Sequence, residues 1–258
     1  MAKELWCVAE VQQRTRLSPH LVRVRLQVPA GLAATGVPDE RVVLELPGGA
    51  TRSLTVRARN GAQGVVDLDV VLHPAGVAAA WAERAQPGDQ VRVSDPRGWY
   101  APPPDTSWQL LVADLSGLPA LARISEETAA ALPTSALVEV PDPADRPPLP
   151  GSVGVRWVPE GLPAAVADVG WPPGPGYVWF AGEAADARAV RRHLRDLGWP
   201  VARYRVLGYW RAAQTEWERR FTEVAPGLEH VYTDAVAHGL TSDEALEAYD
   251  DALADLGL

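Results

Sequence analysis

The apolar positions of this chain change period near residue 100. Before that point they alternate with polar ones. "LWCVAEVQQRTRLSPHLVRVRLQVP" predicts two strands, Leu5–Arg14 and Leu21–Val28, parted by a turn at Ser18-Pro19. "RVVLELP" and "TRSLTVRA" predict a hairpin around Gly48-Gly49. "GVVDLDVVLH" predicts a strand at Val65–Leu72, "VAAAWAERA" a short helix at Val77–Ala85, and "PGDQVRV" a turn running into a strand. Six short strands and one helix predict a small antiparallel β-barrel.

"YAPPPDTS" (Tyr100–Ser107) blocks regular structure and reads as a linker. Beyond it, apolar strands alternate with helical stretches. "WQLLVAD" is a buried strand, followed by a helix from Ser116 to Ala131. "SALVEV" and "VGVRWV" are strands, parted by the proline-rich loop "PDPADRPPLPG". "GYVWFAG" leads into a helix at Glu183–Leu197, and "VARYRVLGYW" is a strand running into another helix. This rhythm predicts a doubly wound parallel sheet. The division is a barrel domain over 1–100, a linker over 101–107, an α/β domain over 108–211 and a helical extension over 212–258. In the extension, Thr241 and Glu244 form a capping box ahead of Leu246, Tyr249, Leu253 and Leu256 on one face. A barrel, a linker and an α/β domain in that order are what a two-domain flavin and nicotinamide reductase needs, with its reaction site in the cleft between them.

Composition narrows the partners. The 258 residues suffice for a sizeable core. A net charge of -9 disfavours nucleic acid and anionic membranes. No signal segment or long apolar run is evident, so a cytoplasmic protein is expected, monomeric or homodimeric. Cys7 stands alone and the histidines are scattered, so no metal site is expected. Lys3 is the only lysine, which leaves any anion to arginines or backbone N–H groups.

Several segments, in order, resemble the siderophore-interacting protein family of ferredoxin-reductase-type flavoproteins. They are Arg52-Ser-Leu-Thr-Val-Arg57 for an Arg-x-Tyr-Thr-x-Arg strand, His73 ending a strand, "GVAAAWA" (Gly76–Ala82) for Gly-Pro-Ala-Ser-x-Trp-Ala, and Pro87-Gly88-Asp89. They continue with "DLSGLPA" (Asp114–Ala120), "WFAGE" (Trp179–Glu183) and "GYWR" (Gly208–Arg211). The resemblance implies FAD in the barrel, NAD(P)H as hydride donor and a ferric siderophore as electron acceptor. It implies that Arg52, Leu54, Thr55, Arg57, His73 and the turn Gly76, Val77, Ala78 and Ala79 meet the flavin. Asp114, Ser116, Gly117, Glu183 and Trp210 would line the nucleotide side. Thr55, His73 and Glu183 are the candidate catalytic groups. Arg203, Arg205 and Arg211 would supply a basic pocket for the chelate.

Departures fall on the ligand positions. Leu54 stands for the motif tyrosine, Val77 for the proline and Ala79 for the serine of the pyrophosphate turn. Asp95 stands for a glycine, and Leu115, Ser116 and Gly117 for Glu, Thr and Ala. Two further readings follow from these. One is a flavin-poor enzyme, a cyclase or isomerase acting on a hydrophobic natural-product intermediate. The other is a ligand-binding protein without turnover. For single residues, plainer roles compete: surface charge for Arg52 and Arg57, a structural histidine at His73, a helix N-cap at Glu183, and core packing for Trp81, Trp179 and Tyr209-Trp210.

Overall fold

A computed structural model describes residues 6–256, apart from positions 30, 31, 33, 75, 213 and 229. Leu5, the first residue of the first expected strand, lies outside the described residues. The amino-terminal half is a closed barrel of antiparallel strands in the order β1-β2-β5-β4-β3-β6. These are β1 (Trp6–Ser18), β2 (Leu21–Gln27), β3 (Arg41–Glu45), β4 (Thr51–Asn60), β5 (Val65–Val71) and β6 (Gln90–Ser94). Alternation closes it, because every second side chain of β2 and β3 turns into one core of Val24, Leu26, Val42, Leu44, Val56 and Leu68, each at most 1% exposed. On the outer face, Arg23 and Arg25 of β2 lie directly opposite Asp69 and Asp67 of β5 and bind them with paired N–H···O bonds of 2.6–2.8 Å. These forks cover the carboxylates, so β5 is buried on both faces. Helix α1 (Val77–Arg84) packs Trp81 and Ala82 onto the barrel.

The second half is a five-stranded parallel sheet in the order β11-β10-β7-β8-β9. Its strands are β7 (Trp108–Asp114), β8 (Thr134–Glu139), β9 (Val153–Val158), β10 (Gly176–Glu183) and β11 (Tyr204–Trp210). Helices α2 (Leu118–Thr128), α3 (Leu162–Ala167) and α4 (Ala184–Asp196) cover its faces. The chain steps outward from β7 to β9, then returns to place β10 on the other side of β7. The strand order therefore reverses between β7 and β10, where open α/β sheets bind ligands at their carboxyl edge. The central strands read as unbroken apolar runs because both faces are covered.

Helices α5 (Gln214–Leu228), α6 (Val231–Ala237) and α7 (Ser242–Asp255) complete the chain. Thr241 and Glu244 form the expected reciprocal cap. The buried face of α7 differs from the one read off the sequence. Leu246 is 45% and Leu256 46% exposed, while Ala245 and Leu253 are buried with Tyr249 beside them. Tyr249 and Leu253 pack with Trp217, Phe221 and Leu228 of α5, a face that leaves Leu246 outside, and the ion pairs Arg191–Asp250 and Arg195–Asp251 tie α7 to α4. Among the described residues, no helix is long and apolar enough to cross a membrane.

Candidate functional site

On the barrel side, the ladder between β4 and β5 ends at Val56–Leu68. Beyond it the first half of β4 pairs only with β3, leaving its other edge open. Arg52 and Ser53 on that edge are exposed, Leu54 is half-buried against the barrel core and Thr55 is buried. The chain leaving β5 turns there into α1. His73 is exposed and its ring lies over Gly76, so a Cβ at position 76 would stand 2.6 Å from the imidazole. Helix α1 has no side-chain N-cap, and its first turn closes through Ala80 N–H donating to the Gly76 carbonyl at 2.8 Å. The N–H groups of Val77, Ala78 and Ala79 precede any intrahelical partner. Free N–H groups at a helix start, with the helix dipole behind them, are the kind of donors an anion takes.

Arg57 behaves differently from Arg52. The β4–β5 register slips between Val56 and Ala58, making Arg57 the extra residue of a bulge. Its guanidinium is turned onto Glu126 of α2 and binds both carboxylate oxygens. Behind it lies a buried cluster that no expectation from the sequence included. Glu40 is fully buried, paired with Arg59 and 3.6 Å from Arg123. Asp39, also fully buried, accepts from the Trp99 N–H at 2.8 Å and from Trp179 Nε1 at 3.3 Å. The Arg41 guanidinium lies 4.0 Å above the Trp99 ring, and burial lowers its pKa. Asp39-Glu40-Arg41, a charged run directly ahead of an apolar strand, is the trace this cluster leaves in the sequence.

On the sheet side, Asp114 ends β7. Its Oδ1 accepts from Ser116 N–H (2.8 Å), Ser116 Oγ (2.6 Å) and Gly117 N–H (3.2 Å), and its Oδ2 from Trp210 Nε1 (2.5 Å). The Ser116 and Gly117 N–H groups are thus already taken by a carboxylate. Gly117 is required by space, since a Cβ would come within 2.3 Å of the Ala181 carbonyl oxygen. Glu183 caps α4 by accepting from Ala185 and Asp186 N–H, and also accepts from Ala212 N–H. Glu139 and Asp186 complete an acidic rim. Burial first, and then neighbouring carboxylates, hold the Asp186 carboxyl above its ordinary range. Burial likewise raises Glu139, against hydrogen bonds from the Gly161 and Leu162 N–H groups.

The two sides meet at Tyr209. Its ring packs edge-on against Trp179 at 6.4 Å between centroids. Its hydroxyl oxygen is buried with Thr55 as its hydrogen-bonding neighbour, and among the described residues it has no well-aligned partner. Burial is the largest cause of a strong upward shift in this phenol. Trp179 and Trp81 are core residues, whereas Trp210 is 49% exposed. The three arginines expected to share one basic pocket do not. Arg203 and Arg205 sit at the start of β11, where Arg203 pairs with Asp105, and Arg211 follows its far end. About 20 Å of extended strand separates the two ends. The scattered histidines also gave no hint that His20, Asp142 and Asp145 offer ligand atoms within 4.8 Å of one another. Asp145 already accepts there from Ser18 Oγ, His20 N–H and the His20 ring, joining the barrel to the loop after β8.

Comparison with known proteins gives a consistent picture. The model of the siderophore-interacting FAD-binding domain matches residues 45–100, and that of the siderophore-interacting protein matches residues 106–213. An uncharacterised protein of Mycobacterium tuberculosis is 32% identical over 282 residues, spanning 84% of this chain and 96% of that protein. The NADPH-dependent ferric-chelate reductase of Escherichia coli is 34% identical over 153 residues, 56% of this chain and 60% of that enzyme. Among solved structures, a siderophore utilization protein from T. fusca is 26% identical with a TM-score of 0.73, covering 83% of this chain and 95% of that one.

Proposed function

Because the chain belongs to the siderophore-interacting protein family, we propose that it is an FAD-dependent reductase that draws hydride from NAD(P)H and passes electrons to Fe(III) held in a siderophore. The observation that carries this reading is the poorly satisfied, buried Tyr209 hydroxyl beside Thr55, in the part of the molecule that also holds the open edge of β4. A buried polar group that is poorly satisfied is destabilising by up to about 1–3 kcal/mol, and a hydrogen bond from a ligand would offset that.

The residues present fit FAD at both ends. Arg52 and the N–H groups at the start of α1, Val77 foremost because it is exposed, would hold the phosphates. Leu54, apolar where the family has tyrosine, would pack against the ring system. The hydroxyls of Thr55 and Tyr209 would bind the polar ring edge. When bound, the flavin supplies two-electron acceptance from a nicotinamide and one-electron delivery to iron. Asp39 ties the Trp99 backbone to the core residue Trp179, bracing the barrel against the sheet. Arg57–Glu126 and Glu40–Arg59–Arg123 hold the two domains in one register, which fixes the distance between donor and acceptor. Reduction of Fe(III) to Fe(II) weakens its hold on hard oxygen chelators and releases it. Relatives named as reductases, the NADPH-dependent ferric-chelate reductase of Escherichia coli and the ferric vibriobactin reductase of Vibrio cholerae, favour this reading over cyclisation or binding without turnover, and two further relatives are named as mycobactin import proteins.

The test is a single turnover without oxygen. FAD-loaded protein is reduced with NADH or NADPH and mixed with a ferric chelate and an Fe(II)-specific trap. Formation of the trapped Fe(II) complex in step with flavin reoxidation supports the reading. Reduced flavin that leaves the chelate untouched contradicts it.

A further inference from the structure

At the carboxyl edge of the sheet, beside the end of β11, helices α4, α5 and α7 enclose a cavity of about 300 Å³. Its wall includes Arg188, Arg191, Arg211, Trp217 and one carboxylate, Asp250. That carboxylate is engaged, since Asp250 Oδ2 lies 2.5 Å from Arg191 Nη1, and Glu247 also faces Arg191 at 3.8 Å. Among the described residues, neither Arg188 nor Arg211 forms an ion pair. The Arg211 guanidinium stacks 4.1 Å above the Trp217 ring. Burial, and next the charge of Arg188, lowers its pKa, with Glu183 and Asp250 opposing. The Trp217 indole Nε1 is buried and has no acceptor. Two guanidinium groups thus face one cavity that Trp217 also lines, and among the described residues neither guanidinium is in an ion pair and the buried indole N–H has no acceptor.

The rest of this edge has the opposite sign. Asp114, Glu139, Glu183 and Asp186 gather at the ends of β7, β8 and β10. An anion approaching the edge is repelled there and drawn toward β11. Trp210 stands between the two regions, lining the cavity while its indole N–H reaches Asp114. Guanidinium forks suit the paired oxygens of a carboxylate or phosphate, and aromatic walls suit a flat ligand body.

We propose that this cavity binds an oxyanion, the carboxylate or phosphate of a flat organic ligand, through Arg188, Arg211 and the Trp217 N–H. The group could come from a nucleotide phosphate or from a carboxylate-bearing chelate. Flavin plays no part in its recognition, so the test is separate from that of the reductase reading.

The test uses full-length ¹⁵N-labelled protein and its indole N–H resonances, with the Trp217 signal identified by its loss in Trp217→Phe. The probes are 2′,5′-ADP for the nucleotide source and iron-free citrate for the chelate source. At least one probe should shift the Trp217 signal saturably, and the arm that does so names the source. Arg188→Gln and Arg211→Gln should each weaken that probe about tenfold or more, as expected for a lost hydrogen bond to a charged group. If Arg211→Gln does not fold, Arg188→Gln alone decides. The proposal is overturned if neither probe moves the signal at saturating concentration, or if the folded arginine variants bind as tightly as wild type.

Discussion

The Arg57 guanidinium on β4 binds both carboxylate oxygens of Glu126 on α2, across the boundary between the barrel and the α/β domain. The bulge between Val56 and Ala58 gives Arg57 this direction. An arginine placed by its motif beside a flavin therefore serves as part of a clamp between domains.

The clamp has a weak outer pair and a strong inner one. Glu126 is 45% exposed, so Arg57→Ala should lower stability by only about 1 kcal/mol or less. Glu40 is fully buried, and Glu40→Gln leaves Arg59 and Arg123 short of their counter-charge. It should cost about 3 kcal/mol or more. Urea midpoints at constant m-value rank the two, and equal losses would refute the distinction.

Arg52 and Arg57 should also separate in ligand binding. Arg52 is exposed, and among the described residues its guanidinium bonds only the neighbouring Thr51 carbonyl, at 2.7 Å. Arg52→Ala should leave the urea midpoint nearly unchanged and weaken FAD about tenfold, as for a lost charge-assisted hydrogen bond. FAD titration of both variants decides, and a larger loss of affinity in Arg57→Ala would reverse the assignment.

Tyr209→Phe should have effects of opposite sign on stability and binding. Removing a buried, poorly satisfied hydroxyl leaves the flavin-free protein as stable as wild type or more so. The same change removes a hydrogen-bond donor from the ring edge and weakens FAD. Melting curves with and without FAD report both, and a destabilised flavin-free protein would show that the hydroxyl is already satisfied.

Acid should loosen the second domain contact. Burial acts to raise the Asp145 carboxyl, but hydrogen bonds from Ser18 and His20 outweigh it and hold it below the ordinary range. A depressed folded-state pKa gives stability that is fully present above the unfolded value, about 4, and is lost as pH falls from there through the folded value. The stability gap between wild type and Asp145→Asn should therefore shrink on acidification below about pH 4. A gap that stays constant or widens there would contradict this role.

Most of the scaffold was legible because it depends on local period. The alternation around Val24 and Val42 and the apolar runs at Leu110–Ala113 and Val178–Ala181 encode burial on one face or two, whatever surrounds them. The turn at Gly76 and the capping box at Thr241 were equally local. Other features depend on partners far along the chain. The Arg57–Glu126 pair joins residues 69 apart, and the Asp39–Trp179 contact residues 140 apart. The one-residue bulge at Arg57 leaves no mark in the alternation of β4. The rotation of α7 was only half legible because its buried face is set by packing against Trp217, Phe221 and Leu228, which lie far back in the chain. The three arginines near β11 look adjacent in sequence, but an extended strand carries them to opposite ends.

The visible absorption spectrum of the purified protein, taken after incubation with excess FAD and desalting, tests the central claim most directly. The expected result is a retained flavin spectrum that bleaches with NADH or NADPH in the absence of oxygen and returns when a ferric chelate is added. A protein that keeps no flavin after this treatment would contradict the account, because Arg52 and the α1 N–H groups would then not hold the group assigned to them.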